Sequence, residues 1–154
     1  MRGYARTPRS IEGVATFAGS DQLAAFADGL DIVVSVLPLT PETTGIMNAG
    51  FFGMLADGAF IINGGRGPQV DDDDLLAALG SGKLGGAALD VFAVEPLPQD
   101  HPFWKHPKVR VWPHVAAQTN ATSAAEQVAA AITAMMDGSE PANRVDWSRG
   151  YCCL

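Results

Sequence analysis

The chain has 154 residues, 47% hydrophobic and 18% charged, with a formal net charge of −7 and a pI near 4.7. That length suits one domain, which buries roughly 70% of its unfolded-chain surface. The acidic balance, without any basic run, argues against a nucleic-acid partner. No apolar run is long enough for a membrane span, and the N-terminus lacks a signal-peptide core, so a cytoplasmic location is expected. Cys152 and Cys153 are adjacent and fit neither a zinc site nor a disulfide framework, which predicts free thiols in a tail.

In chain order, Tyr4-Ala5 can finish a strand before a turn over Thr7 to Ser10 marked by Pro8, and Val14 to Phe17 reads as a second short strand. Ser20-Asp21 offers an N-cap to a helix over Gln22 to Asp28. Asp31 to Leu37 is a continuous Val/Ile-rich run, the pattern of a parallel strand buried on both faces, and Pro38 and Pro41 end it. A short helix is predicted over Asn48 to Leu55 and a strand over Ala59 to Ile62. Asp71 to Asp74 suit the first turn of a helix that continues through Leu79, because acids meet the positive end of its dipole. Gly80 and Gly82 are expected to end it. Strands follow over Ala87 to Phe92 and Val109 to Trp112, then a long Ala-rich helix over Thr119 to Met136 stopped by Gly138. Alternating strands and helices imply an α/β chain with a mostly parallel sheet. The expected division is a partial dinucleotide-binding domain over 1–138 and a C-terminal tail over 139–154.

Three of these strands end at a polar side chain beside a Gly or Pro. Arg66 follows Asn63-Gly64-Gly65, Glu95 follows Asp90-Val91-Phe92 and precedes Pro96, and His114 follows Pro113. A guanidinium in a Gly-rich loop can grip a carboxylate bidentately, and it can equally be a surface charge. A carboxylate beside an imidazole stabilises imidazolium, which makes a general acid for carbonyl reduction and a base for the reverse. Each residue alone reads as readily as a structural group. His101 and His106 flank Phe103-Trp104 without metal-ligand spacing and are taken as loop residues, so no metal is expected. Arg6 and Arg9 bracket the turn after the first strand, where a dinucleotide fold meets the adenosine ribose. No acid lies between Arg2 and Ile11, which leans toward NADP over NAD.

Taken together, these loops resemble the D-isomer-specific 2-hydroxyacid dehydrogenases, and within them the glyoxylate/hydroxypyruvate reductase A group. The markers are Arg6-Thr7-Pro8-Arg9, Leu37-Pro38-Leu39-Thr40-Pro41-Glu42-Thr43, Ile62-Asn63 with Arg66-Gly67, Asp74 to Leu79, and Leu89 to Phe92 with Glu95 to Pro98. Further on come Pro102 to Pro107, Pro113-His114 and Asp146 to Tyr151. The resemblance implies a Rossmann-like fold and NADPH-dependent reduction of a small 2-oxo acid such as glyoxylate or hydroxypyruvate. It implies that Arg66 binds the substrate carboxylate, His114 protonates the developing alkoxide, and Glu95 holds His114. By the same resemblance the cofactor is NADP, with NAD as the alternative, contacted by Arg6, Thr7, Arg9, Leu37, Pro38, Asn63, Gly64, Asp90, His114 and Ala116.

Two departures qualify that picture. Gly64-Gly65 replaces a bulkier pair before the arginine, which predicts a looser loop. No G-x-G-x-x-G opens a helix anywhere, so the family's first strand, its phosphate loop and its substrate-side domain are all expected to be missing. The chain then corresponds to the C-terminal portion of such an enzyme, with an open slot in its sheet, and is expected to be either completed by a partner, a homodimer mate or a complementing chain, or partly disordered. The competing reading is a catalytically inactive remnant or interaction module that lacks cofactor binding.

Overall fold

A computed structural model describes residues 1–147 and the backbone of residues 151–152. It divides into two compact units, Met1–His114 and Val115–Leu154. In the first unit β1 (Arg2–Ala5) and β2 (Ala15–Ala18) form a parallel pair. A short helix α1 (Leu23–Ala27) then leads to β3 (Ile32–Ser35). β3, β4 (Ala59–Asn63), β5 (Leu84–Leu89) and β6 (Val109–Val111) form a second, four-stranded parallel sheet in that order. The helices α2 (Ala49–Met54) and α3 (Asp72–Ser81) connect β3 to β4 and β4 to β5. Parallel strands need such crossovers, and the result is the Rossmann-like architecture that the sequence predicts.

Local chemistry sets the element ends. The Asn48 side chain accepts the Phe51 N–H to start α2, and the Asp71 side chain accepts the Asp74 N–H to start α3. Gly80 lies inside α3, and Gly82 ends that helix in the left-handed conformation at φ 84°. The run Gly80-Ser81-Gly82-Lys83-Leu84-Gly85 has the spacing of a phosphate-binding fingerprint. It leads from a helix into a strand, the reverse of what places a helix N-terminus on a diphosphate.

β5 begins at Leu84, three residues before the predicted strand, because its glycines let Phe60 lie over it. A Cβ on Gly86 would come within 2.7 Å of the Phe60 ring. The core lies on one face of the four-stranded sheet. Ile61, Leu84 and Leu89 pack there with Phe51 and Phe52 of α2, Leu75 and Leu79 of α3, and Phe103. β3 corrects the sequence expectation. Val33 and Ser35 are buried, but Ile32, Val34 and Val36 are exposed, so this strand is covered on one face only.

In the second unit α4 (Ala121–Met136) is capped by Asn120, whose side chain accepts the Ser123 N–H. Within the segment expected to be a tail, β7 (Val145–Asp146) pairs antiparallel with β8 (Tyr151–Cys152). The expectation of free thiols falls on Cys153, which lies outside the described residues, and on the Cys152 side chain, which is likewise not described. Among the described residues no helix is long and apolar enough to cross a membrane.

Candidate active site

The site forms at the carboxyl ends of the four-stranded sheet, the position where open α/β sheets bind ligands. Backbone bonds stitch those ends together. The Gly64 N–H donates to the Ser35 carbonyl at 3.0 Å, and the Asp90 N–H donates to the Asn63 carbonyl at 3.0 Å. The His114 N–H in turn donates to the Asp90 carbonyl at 2.8 Å. His114 takes a φ of 56°, a left-handed conformation that costs a non-glycine residue about 1–3 kcal/mol. The bond to Asp90 holds the residue there.

The structure joins Glu95 to His114. One Glu95 oxygen accepts the Phe92 N–H at 2.9 Å, and the other lies 2.9 Å from His114 Nδ1. The hydrogen bond from His114 holds the Glu95 carboxyl below its ordinary range, aided by the Phe92 N–H and by the charges of His114 and Arg66, against a smaller opposing effect of burial. An ionised Glu95 only accepts, so Nδ1 carries the proton and Nε2 is the nitrogen that faces chemistry. Beside the pair lies a cavity of about 400 Å³ bounded by Phe92, Leu97, Trp104, Trp112 and Pro113. The sequence reading gave these aromatic residues no role at the site.

Arg66 is exposed and its Nη1 donates to the Gly65 carbonyl at 2.7 Å. Its loop is pinned by Gln69, a fully buried residue that the sequence reading also passed over. The Gln69 side-chain oxygen accepts the Arg66 N–H at 3.1 Å, while its nitrogen donates to the carbonyls of Leu37 at 2.9 Å and Pro38 at 3.1 Å. One amide thus ties the Arg66 loop to the loop after β3. Its only sequence signal is a lone polar residue among Gly67, Pro68 and Val70. The expected looseness of Gly64-Gly65 is not found. The Gly65 N–H donates to the Asn63 side chain, and a Cβ on Gly65 would meet the Leu37 carbonyl at 3.0 Å. Gly67 is tighter still, because a Cβ there would lie 1.8 Å from the Phe92 carbonyl carbon. That contact sets the Arg66 loop directly against the loop that carries Glu95.

The remaining predicted residues lie elsewhere. Arg6, Thr7 and Arg9 are exposed on the segment after β1. The Arg9 carbonyl accepts the Thr16 hydroxyl at 2.6 Å. The Glu42 carboxyl, in the turn after β3, is held below its ordinary range by the Thr40 hydroxyl, by its own N–H and by the charge of Arg6. Asp90 is buried. Ala116 is exposed and belongs to the second unit. Among the described residues no group of three potential metal ligands comes together.

A parallel α/β unit whose strand ends carry an ionised Glu–His pair and a guanidinium defines a ligand-binding domain of the dinucleotide-binding type. Residues 1–116 match the family model described as D-isomer specific 2-hydroxyacid dehydrogenase, NAD binding domain, and the chain belongs to that family. It is similar to a glyoxylate/hydroxypyruvate reductase A of Serratia proteamaculans, at 50% identity over 98% of this chain and 48% of that protein. Among solved structures, a D-isomer specific 2-hydroxyacid dehydrogenase from Xanthobacter autotrophicus Py2 in complex with NADPH and MES is 47% identical. It superposes with a TM-score of 0.94 over 97% of this chain and 62% of that one. An NADPH-dependent glyoxylate/hydroxypyruvate reductase from Sinorhizobium meliloti, in complex with NADP and sulfate, is 41% identical. Its TM-score is 0.92 over 97% of this chain and 49% of that one. The chain spans about half the length of the curated relatives it matches.

Proposed function

We propose that this site serves NADPH-dependent reduction of a small 2-oxo acid, glyoxylate or hydroxypyruvate, to the 2-hydroxy acid. The observation that carries the reading is the 2.9 Å contact between His114 Nδ1 and an ionised Glu95. In this reading Arg66 binds the substrate carboxylate and draws electron density from the 2-oxo group. His114 Nε2 gives a proton to the carbonyl oxygen, and Glu95 keeps the ring oriented and stabilises its protonated form. A dinucleotide held by Leu37, Pro38, Asn63 and Asp90 would supply the hydride for this reduction. The cavity beside the imidazole has a largely apolar lining that includes Phe92, Leu97, Trp104 and Trp112.

The residues present fit the nicotinamide end of that cofactor. Leu37, Pro38 and Leu39 give a largely apolar segment after β3 near Asn63 and Gly64, and buried Asp90 offers an acceptor to a carboxamide. Arg6 and Arg9, with the Thr7 hydroxyl, supply the donors that favour a 2′-phosphate. NADP(H) is therefore the proposed cofactor over NAD. Ala116 is assigned to the same cofactor by family likeness. Among the described residues no glycine-rich turn opens a helix. Partners in this reading are the 2-oxo acid and a second polypeptide, in the cytoplasm.

Thermal unfolding with and without NADPH, followed by glyoxylate-dependent NADPH oxidation, tests the reading. The expected result is a raised midpoint and a turnover that His114→Gln lowers by about 100-fold or more. No midpoint shift and no turnover would instead favour the interaction module.

A further inference from the structure

Gln69 is fully buried, and its side chain leaves no hydrogen-bonding group idle. Its oxygen accepts the Ser35 hydroxyl at 3.3 Å as well as the Arg66 N–H at 3.1 Å, and its nitrogen donates to the Leu37 and Pro38 carbonyls. A side-chain amide offers two acceptor and two donor positions, and all four are taken. The partners also fix which way the amide points. Turned over, its NH2 would face the Arg66 N–H and its oxygen would face two carbonyls. Ser35, Leu37 and Pro38 stand at the end of β3 or just beyond it, and Arg66 stands just beyond β4.

The bridge is anchored at both walls. The Gln69 backbone is held apart from its side chain, since its N–H donates to the Arg66 carbonyl at 3.2 Å and its carbonyl accepts the Met47 N–H at 2.9 Å. On the far wall the Thr43 hydroxyl donates to the Pro38 carbonyl at 2.8 Å and accepts the Thr40 N–H at 2.8 Å, which stiffens the turn after β3. Gly65 makes room for the amide, because a Cβ there would overlap the Gln69 oxygen. Hydrogen bonds add little net stability, since water serves the same groups when the chain unfolds. What a fully satisfied buried amide adds over an apolar side chain is a fixed distance between the groups it joins.

We infer that Gln69 is a positioning residue that sets the separation between the dinucleotide cleft and the anchor of the substrate carboxylate. That role rests on the function proposed above, in which Leu37 and Pro38 line the cleft and Arg66 binds the carboxylate. Gln69 lies buried behind both segments and acts through them. Two bound molecules react only when the reacting atoms come within about 3–3.5 Å, and a misplacement of about 1 Å can cost about 100-fold in rate. A dinucleotide that settles against the turn after β3 presets Arg66 through the amide, so the two ligands should bind more tightly together than apart.

Calorimetry on the full chain tests this with NADPH and with oxamate, a 2-oxo acid mimic that accepts no hydride. In the parent, saturating NADPH should tighten oxamate binding by about 10-fold. Gln69→Met keeps the length and bulk of the side chain but lacks its donors and its acceptor. It should bind each ligand alone within about 3-fold of the parent and lose the gain. A merely structural role would instead weaken both ligands separately. In glyoxylate-dependent NADPH oxidation, kcat of the variant should fall by about 100-fold while KM for glyoxylate stays within about 3-fold. Gln69→Asn carries the same groups on a stem too short to reach both walls, and gives the same reading should the methionine variant unfold. A folded variant that kept the gain would overturn the inference, as would separate loss of both ligands. A parent that bound oxamate equally with and without NADPH would overturn it and leave the proposed reaction standing. A parent that bound neither ligand would remove the proposed reaction, and this role with it.

Discussion

The two faces of the four-stranded sheet are made from the same kinds of residue and meet different fates. On one face Val33, Ile61 and Leu89 lie under α2 and α3 and are buried. On the other, Ile32, Val34, Phe60 and Ile62 are exposed. Alternate residues of a strand point to opposite faces, so the same run of β-branched and aromatic side chains serves a finished core and a bare surface at once. Apolar character is thus a demand for cover, and the fold supplies cover only where the chain itself returns with a helix. The outer face of β3, with Ile32 and Val34, belongs to the exposed side of that contrast.

Paired truncations sharpen the contrast most. Ile61→Ala empties a fully buried position and should lower unfolding free energy by about 2–5 kcal/mol, whereas Val34→Ala should change it by less than about 0.5 kcal/mol. Urea denaturation of both variants checks this, and equal effects would mean that the exposed face is covered in solution. Gly67→Ala comes next. The added methyl meets the Phe92 backbone, so the Arg66 and Glu95 loops must separate, at a cost near the upper end of about 1–3 kcal/mol for overpacking. The same measurement reads it, and a neutral result would show that the two loops are not in contact.

Gln69→Ala should cost about 1–2 kcal/mol, since it strands the Leu37 and Pro38 carbonyls and the Arg66 N–H, and Gln69→Glu should not rescue it. The Leu37 and Pro38 carbonyls need a donor, which a carboxylate lacks. A Gln69→Glu variant as stable as the parent would remove this amide from the account of how the Arg66 loop is held.

Legibility in the sequence follows the same division. Elements set by local rules were readable, as Asn48 and Asp71 show by capping the helices predicted from them. The strand-end positions of Arg66, Glu95 and His114 were readable because each closes an apolar run. What could not be read depends on tertiary neighbours. Asp31 to Leu37 has the composition of a strand buried twice, but composition does not say whether a second layer exists. The early start of β5 rests on Phe60 lying over Gly86, a contact between strands far apart in sequence. Gln69 gains its role from carbonyls more than thirty residues away. Trp104 and Trp112 reach the imidazole's surroundings only once the loop from Glu95 to His114 has closed.

The smallest expected effect lies at the Glu95–His114 pair and separates electrostatics from packing. The folded-state carboxyl of Glu95 is depressed below its unfolded value, mainly by the His114 hydrogen bond. A depressed carboxyl contributes stability that is fully present above the unfolded value, about 4.3, and is lost as pH falls through the folded one. Glu95→Gln removes that contribution, so wild type and variant should differ by their full amount above the ordinary carboxylate range and converge as pH drops below it. The pair is partly exposed, so water screens the effect and the difference stays modest. Unfolding midpoints measured from pH 3 to pH 7 give the comparison. A gap that widened on acidification would mean that Glu95 is held by packing rather than by its charge, and the strand-end site would then resemble the core face beside it.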